Sequence, residues 1–117
     1  MGAMEEDERK LMMTVAWLFA HHGRTDRART ILECLSEDSP REGVVAATLA
    51  DMQLAAGEPE AALRTIRAAD FPSALKRAEA MLETRALRAL GKAAESRARW
   101  QRYVKASKGA KREWVRG

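Results

Sequence analysis

Large apolar residues recur along this chain at three- and four-residue steps, with no stretch of strict apolar–polar alternation. Met12, Val15, Ala16 and Phe19 form the first such stripe. That spacing lines up one face of an α-helix. It predicts a first helix from Glu6 to His22, entered through acidic residues that suit the positive end of the helix dipole. A second helix is expected from a cap at Thr25 to Glu37. Ser39-Pro40-Arg41-Glu42 is a start signal, with Ser39 as cap, Pro40 in the first helical position and Glu42 completing a capping box. The third helix then runs to Ala56. Pro59 opens a fourth that ends at Asp70-Phe71-Pro72, and a fifth covers Ser73 to Leu90. A sixth begins after Gly91, carries Trp100, Tyr103 and Val104, and weakens at Ser107-Lys108-Gly109. The expected fold class is all-α, and the chain shows no glycine-rich phosphate loop and no low-complexity segment.

The helices fall into pairs. Gly23, Gly57 and Gly91 stand 34 residues apart, the length of a tetratricopeptide repeat. Seven residues before each stands a small residue, Ala16, Ala50 or Thr84, and five after stands another, Ala28, Ala62 or Ser96. Nine after stands a large apolar one, Leu32, Ile66 or Trp100. Small side chains at those offsets let two helices approach, and the large one fills the groove between repeats. Each glycine ends a helix in a left-handed conformation that other residues adopt only at a cost. Three tetratricopeptide-like helical hairpins in a short right-handed α-solenoid are therefore expected. Residues 1–8 form an acidic N-terminal segment, with 1–3 read as a cloning remnant before Met4. Residues 9–109 hold the three repeats and 110–117 a basic tail. A repeat buries its apolar face only against a neighbour, and little follows residue 109 to cover the sixth helix. A partner, or a second copy, is expected to complete the structure.

Charge sharpens this picture. The net charge is +4, but it is unevenly spread. Residues 1–42 hold 6 Lys/Arg and 9 Asp/Glu, residues 43–76 hold 3 and 4, and residues 77–117 hold 12 and 4. No apolar run is long enough to span a bilayer. The acidic start is unlike a signal peptide, so a cytoplasmic location is expected. The single Cys34 supports no internal disulfide and is expected as a small buried residue.

Candidate chemistry is sparse. His21 and His22 are adjacent, so their side chains diverge by about 100° on a helix and cannot chelate together. No metal site or cofactor is expected, and no nucleophile-and-base pair is visible. The chain does not read as an enzyme. Arg99, Arg102, Lys105 and Lys108 share one face of the last helix, with Arg112 beyond and Trp100, Tyr103 and Trp114 interleaved. That pattern admits nucleic acid. Trp100 and Tyr103 occupy core offsets, however, and are expected to be buried, which favours a solvated basic face.

The inner face of the first helix in each pair is more informative. It lies at roughly thirteen, ten, six and three residues before each glycine. Those offsets select Lys10, Met13, Trp17 and Ala20, then Val44, Ala47, Asp51 and Leu54, then Ala78, Met81, Arg85 and Arg88. The groove is lined by Met, Trp and Leu on one side and flanked by Arg on the other. Such a surface suits the apolar side chains of a partner helix.

The stretch Ala16-Trp17-Leu18 to Gly23, Arg27-Ala28 to Leu35, and Pro40 resembles the opening of the small type III secretion chaperones of the SctY (YscY) class. Leu90-Gly91 to Trp100-Gln101-Arg102-Tyr103-Val104 is similar to their closing segment. The middle repeat departs from the pattern at Gln53 and at the early Pro72. The resemblance implies a groove-binding chaperone without catalysis. Its implied partners are a small export substrate, SctX, and the export gate, SctV. Homodimerisation is the expected outcome when the partner is absent. The alternative is an adaptor that contacts an acidic partner or nucleic acid through the basic last helix.

Overall fold

The computed structural model describes residues 4–116, with side chains through residue 110. The described residues form six α-helices: α1 (Glu6–His21), α2 (Thr25–Asp38), α3 (Gly43–Ala55), α4 (Pro59–Ala68), α5 (Lys76–Ala89) and α6 (Ala93–Arg116). A single 3-10 turn, Ser73–Leu75, precedes α5. The chain is all-helical, as the spacing of apolar residues predicts. No described helix is long and apolar enough to cross a membrane.

The three glycines act alike. Gly23, Gly57 and Gly91 have φ of +75, +77 and +79°. The amide that follows each glycine closes back on the helix: Arg24 N–H to Phe19, Glu58 N–H to Gln53, and Lys92 N–H to Leu87, at 2.8–2.9 Å. This is the 6→1 closure of a helix ending on a left-handed residue. It turns the chain sharply, so α1 packs on α2, α3 on α4 and α5 on α6.

The core follows the predicted offsets. Ala16, Ala28, Leu32 and Leu35 are buried with Val45 and Leu49 of α3. Ala46 and Ala50, from other positions on α3, join Ala62, Leu63, Ile66, Phe71, Leu82, Ala86 and Leu87 in a second cluster. Helix α3 is thus the shared wall of both clusters, which explains why its sequence is apolar nearly all round. Gln53, the polar departure in the middle repeat, is buried there, and its Oε1 accepts a hydrogen bond from the Thr65 hydroxyl at 2.8 Å. A buried amide oxygen with a partner avoids the penalty of an unmade bond.

Several local expectations are corrected. Thr25 lies inside α2, and Arg24 occupies the cap position. Ser39 and Pro40 lie in the turn before α3, which starts at Gly43. Glu42 builds no capping box, because its carboxylate accepts a hydrogen bond from Arg9, which also bonds Asp38. A tertiary ion pair took the group that local chemistry would have used. Cys34 is exposed. Helix α6 does not stop at Gly109 but continues to Arg116, so the boundary expected at 109/110 falls within a helix. Residues 1–3 and 117, and the side chain of Trp114, lie outside the described residues.

The start of α3 is held by a second close approach. Asp70 N–H donates to the Arg41 carbonyl at 2.8 Å, and the two side chains pair as well, with Arg41 Nε 2.7 Å from Asp70 Oδ2. A β-carbon on Gly43 would come within 2.8 Å of the Asp70 carbonyl oxygen and 3.1 Å of Pro72 Cδ. Ala is the better helix former by about 1 kcal/mol, but a backbone carbonyl cannot swing aside. Gly43→Ala should therefore lower stability by about 1 kcal/mol net. Urea denaturation checks this, since propensity alone would raise the midpoint.

Candidate functional site: a groove along the first helices

The inner stripe of each first helix faces solvent. None of the twelve residues at these offsets is fully buried, whereas Ala16 and Ala50, one position away, are core. Trp17 is 57% exposed, Val44 49% and Met81 44%. They are three of the five large hydrophobic residues most exposed among the described residues. Met13, Ala20, Ala47 and Leu54 sit lower, with one side against the core clusters and the other open. Lys10 and Ala78 mark the rim at the start of α1 and α5, with Lys10 beside Glu6 at 3.5 Å.

The charged part of the groove differs from the expectation. Arg85 is not an isolated cation. Its Nη1 lies 2.9 Å from Asp51 Oδ1, linking residues 34 apart that hold the same offset in successive repeats. Both side chains are at least half exposed, so the pair contributes little to stability. It joins α3 and α5 at the edge of the inner stripe and leaves Arg88 as the second guanidinium on that face. The Trp17 indole stacks on His21, ring centroids 3.8 Å apart. The first of the two histidines is therefore spent as a platform for the groove tryptophan. No cluster of three or more His, Cys, Asp or Glu able to hold a metal occurs among the described residues.

Repeat three has polar anchors that the sequence reading missed. Glu83 accepts from Arg67 at 3.2 Å and also from Arg99, tying α4, α5 and α6 together. Its side chain is largely buried. Burial pushes its carboxyl up, but the hydrogen bonds from Arg99 and Arg67 outweigh this and hold it below the ordinary glutamate value of 4.5. A carboxyl lowered by folding stabilises the native state above its unfolded pKa. That contribution is lost as pH falls through the lower folded value. Glu83→Gln should therefore cost about 1 kcal/mol at neutral pH and flatten the acid limb of the melting curve below pH 4.5. Melting temperatures across that window check the sign.

The last helix also departs from expectation. Trp100 and Tyr103 are half-buried rather than buried, with ring centroids 5.3 Å apart. Their counterparts 68 residues earlier, Leu32 and Leu35, are fully covered by α3. Next to this pair lies an open cleft of about 350 Å³ lined by Met81, Thr84, Arg88, Arg97, Trp100 and Gln101 among others. Comparison with known proteins finds no matching family model, no matching curated protein and no matching solved structure.

Proposed function

We propose that this chain is a non-catalytic, tetratricopeptide-like chaperone of a bacterial type III secretion system, a short right-handed solenoid working in the cytoplasm. In this reading the concave groove holds an amphipathic helical segment of a small SctX-like export substrate, which the chaperone presents to the export gate, SctV. The observation that carries it is the run of exposed apolar side chains Trp17, Val44 and Met81 along one face of three successive first helices. Apolar residues left open in a line are a cost to an isolated protein and a docking surface for a partner helix. Arg88 and the Asp51–Arg85 pair border that line and can orient carboxylates flanking a partner's apolar stripe. Coexpression with the co-encoded substrate, followed by calorimetry and thermal melting, tests the proposal. Binding should raise the melting temperature by mass action. A chain that neither binds that substrate nor melts higher in its presence would count against the secretion role.

A second reading gains from the half-exposed Trp100–Tyr103 pair beside Arg102 and Lys105. It is an adaptor that contacts nucleic acid or an acidic partner through α6. Phosphate contacts give a steep salt dependence, and apolar groove contacts do not. The slope of affinity against salt therefore separates the two.

A further inference from the structure

The two ends of the chain fit one another. Within the molecule, α3 lies on the α1–α2 pair by placing Val45, Leu49 and Met52 against Ala16, Leu32 and Leu35. These three residues stand twelve, eight and five positions before Gly57. The same offsets before Gly23 select Leu11, Val15 and Leu18 on α1. Among the described residues no helix covers them, and Leu11 is 64% and Leu18 44% exposed. They are, among the described residues, the two most exposed large hydrophobics outside the groove. At the other end, Thr84, Trp100 and Tyr103 hold the offsets of Ala16, Leu32 and Leu35, which receive α3 in the first repeat, and among the described residues no helix covers Trp100 or Tyr103.

We infer that α1 of a second copy docks in the α5–α6 cleft as the seventh helix of the array, joining chains head to tail. Leu11 and Leu18 of one chain then meet Trp100 and Tyr103 of the next. Charge favours the same occupant. Because α2 ends beside the start of α3, this register sets the acidic entry to α1, Glu5 to Glu8, at the part of α6 that carries Arg102, Lys105 and Lys108. The contact is heterologous, so each added chain presents a fresh cleft and assembly is open-ended. The cleft shares Met81, Arg85 and Arg88 with the third-repeat end of the groove, but Leu11, Leu18, Trp100 and Tyr103 lie outside the groove, so variants at these four test the inference apart from the chaperone role.

Sedimentation of the full chain over a wide concentration range tests it. The mass average should climb above the 13.0 kDa of one chain and fall back as salt is added. Leu11→Glu with Leu18→Glu disables the head, and Trp100→Glu disables the tail. Each variant should run as a monomer. Mixed, they should form a species of twice 13.0 kDa and nothing larger, because one intact head meets one intact tail. Tyr103→Glu replaces Trp100→Glu if circular dichroism shows that the latter loses helicity. The register also sets Arg97 against Arg24, as it sets Arg29 against Glu58 within the chain. Arg97→Glu should therefore tighten association roughly two- to fivefold. A wild-type chain that stays monomeric throughout overturns the inference and leaves the cleft to another protein's helix. So does a wild type that associates while the head and tail variants fail to complement. Weaker association of Arg97→Glu overturns the register.

Discussion

Trp17→Ala should weaken binding of an amphipathic export substrate by roughly 2 kcal/mol or more and leave the helical content unchanged. The indole is 57% exposed, belongs to neither core cluster, and rests on His21. An exposed side chain with one local contact contributes little to folding, so truncation should change stability by less than about 0.5 kcal/mol. A rigid aromatic in an apolar groove gives a large contact area at little entropic cost. Arg85→Ala with Arg88→Ala should act differently. It removes rim charge, one of the two already shared with Asp51, and should mainly alter on-rate and salt sensitivity. Calorimetry on both variants, with circular dichroism as the control, decides the matter. If Trp17→Ala unfolds the chain, the indole is core. If the variant is folded and binds normally, the partner lies on another surface, with α6 the first to test.

Ala50→Leu should destabilise the chain by about 1–3 kcal/mol, the usual cost of forcing methylenes into a filled site. Ala50 is fully buried in the cluster that joins α3, α4 and α5. Its neighbours include Ala46, Ala62 and Ala86, small residues that let the helices meet closely. Added methyl groups must push one helix away from two others, since α3 is packed on both sides. Ala55→Leu, at an exposed position on the same helix, is the control and should change little. The melting temperature of Ala50→Leu should fall by several degrees. Equal melting of the two variants would mean that the close-approach position has been misplaced.

Much of the fold is legible in the amino-acid order, for a local reason. Helical stripes such as Met12-Val15-Ala16-Phe19 and a glycine every 34 residues act within one or two turns of chain. All three glycines adopt the left-handed φ that their spacing predicts. The exposure of Trp17, Val44 and Met81 was also readable, because a helix places every residue at a known angle from its core stripe. Caps were less legible. Ser39 and Glu42 satisfy a capping-box pattern, yet Glu42 went to Arg9 instead, a choice made by a residue 33 positions away.

What the tertiary structure alone decided depends on neighbours. Trp100 holds the same offset as Leu32 and Ile66, and sequence alone assigns all three to the core. Leu32 and Ile66 are buried because another first helix lies over each pair, while Trp100 remains half open because, among the described residues, none lies over the last. In the same way the pairing of Asp51 with Arg85, the meeting of Glu83 with Arg67 and Arg99, and the need for glycine at position 43 arise only when helices distant in sequence come into contact. Short-range periodicity determines which face a residue occupies; whether that face is covered is set by what packs against it.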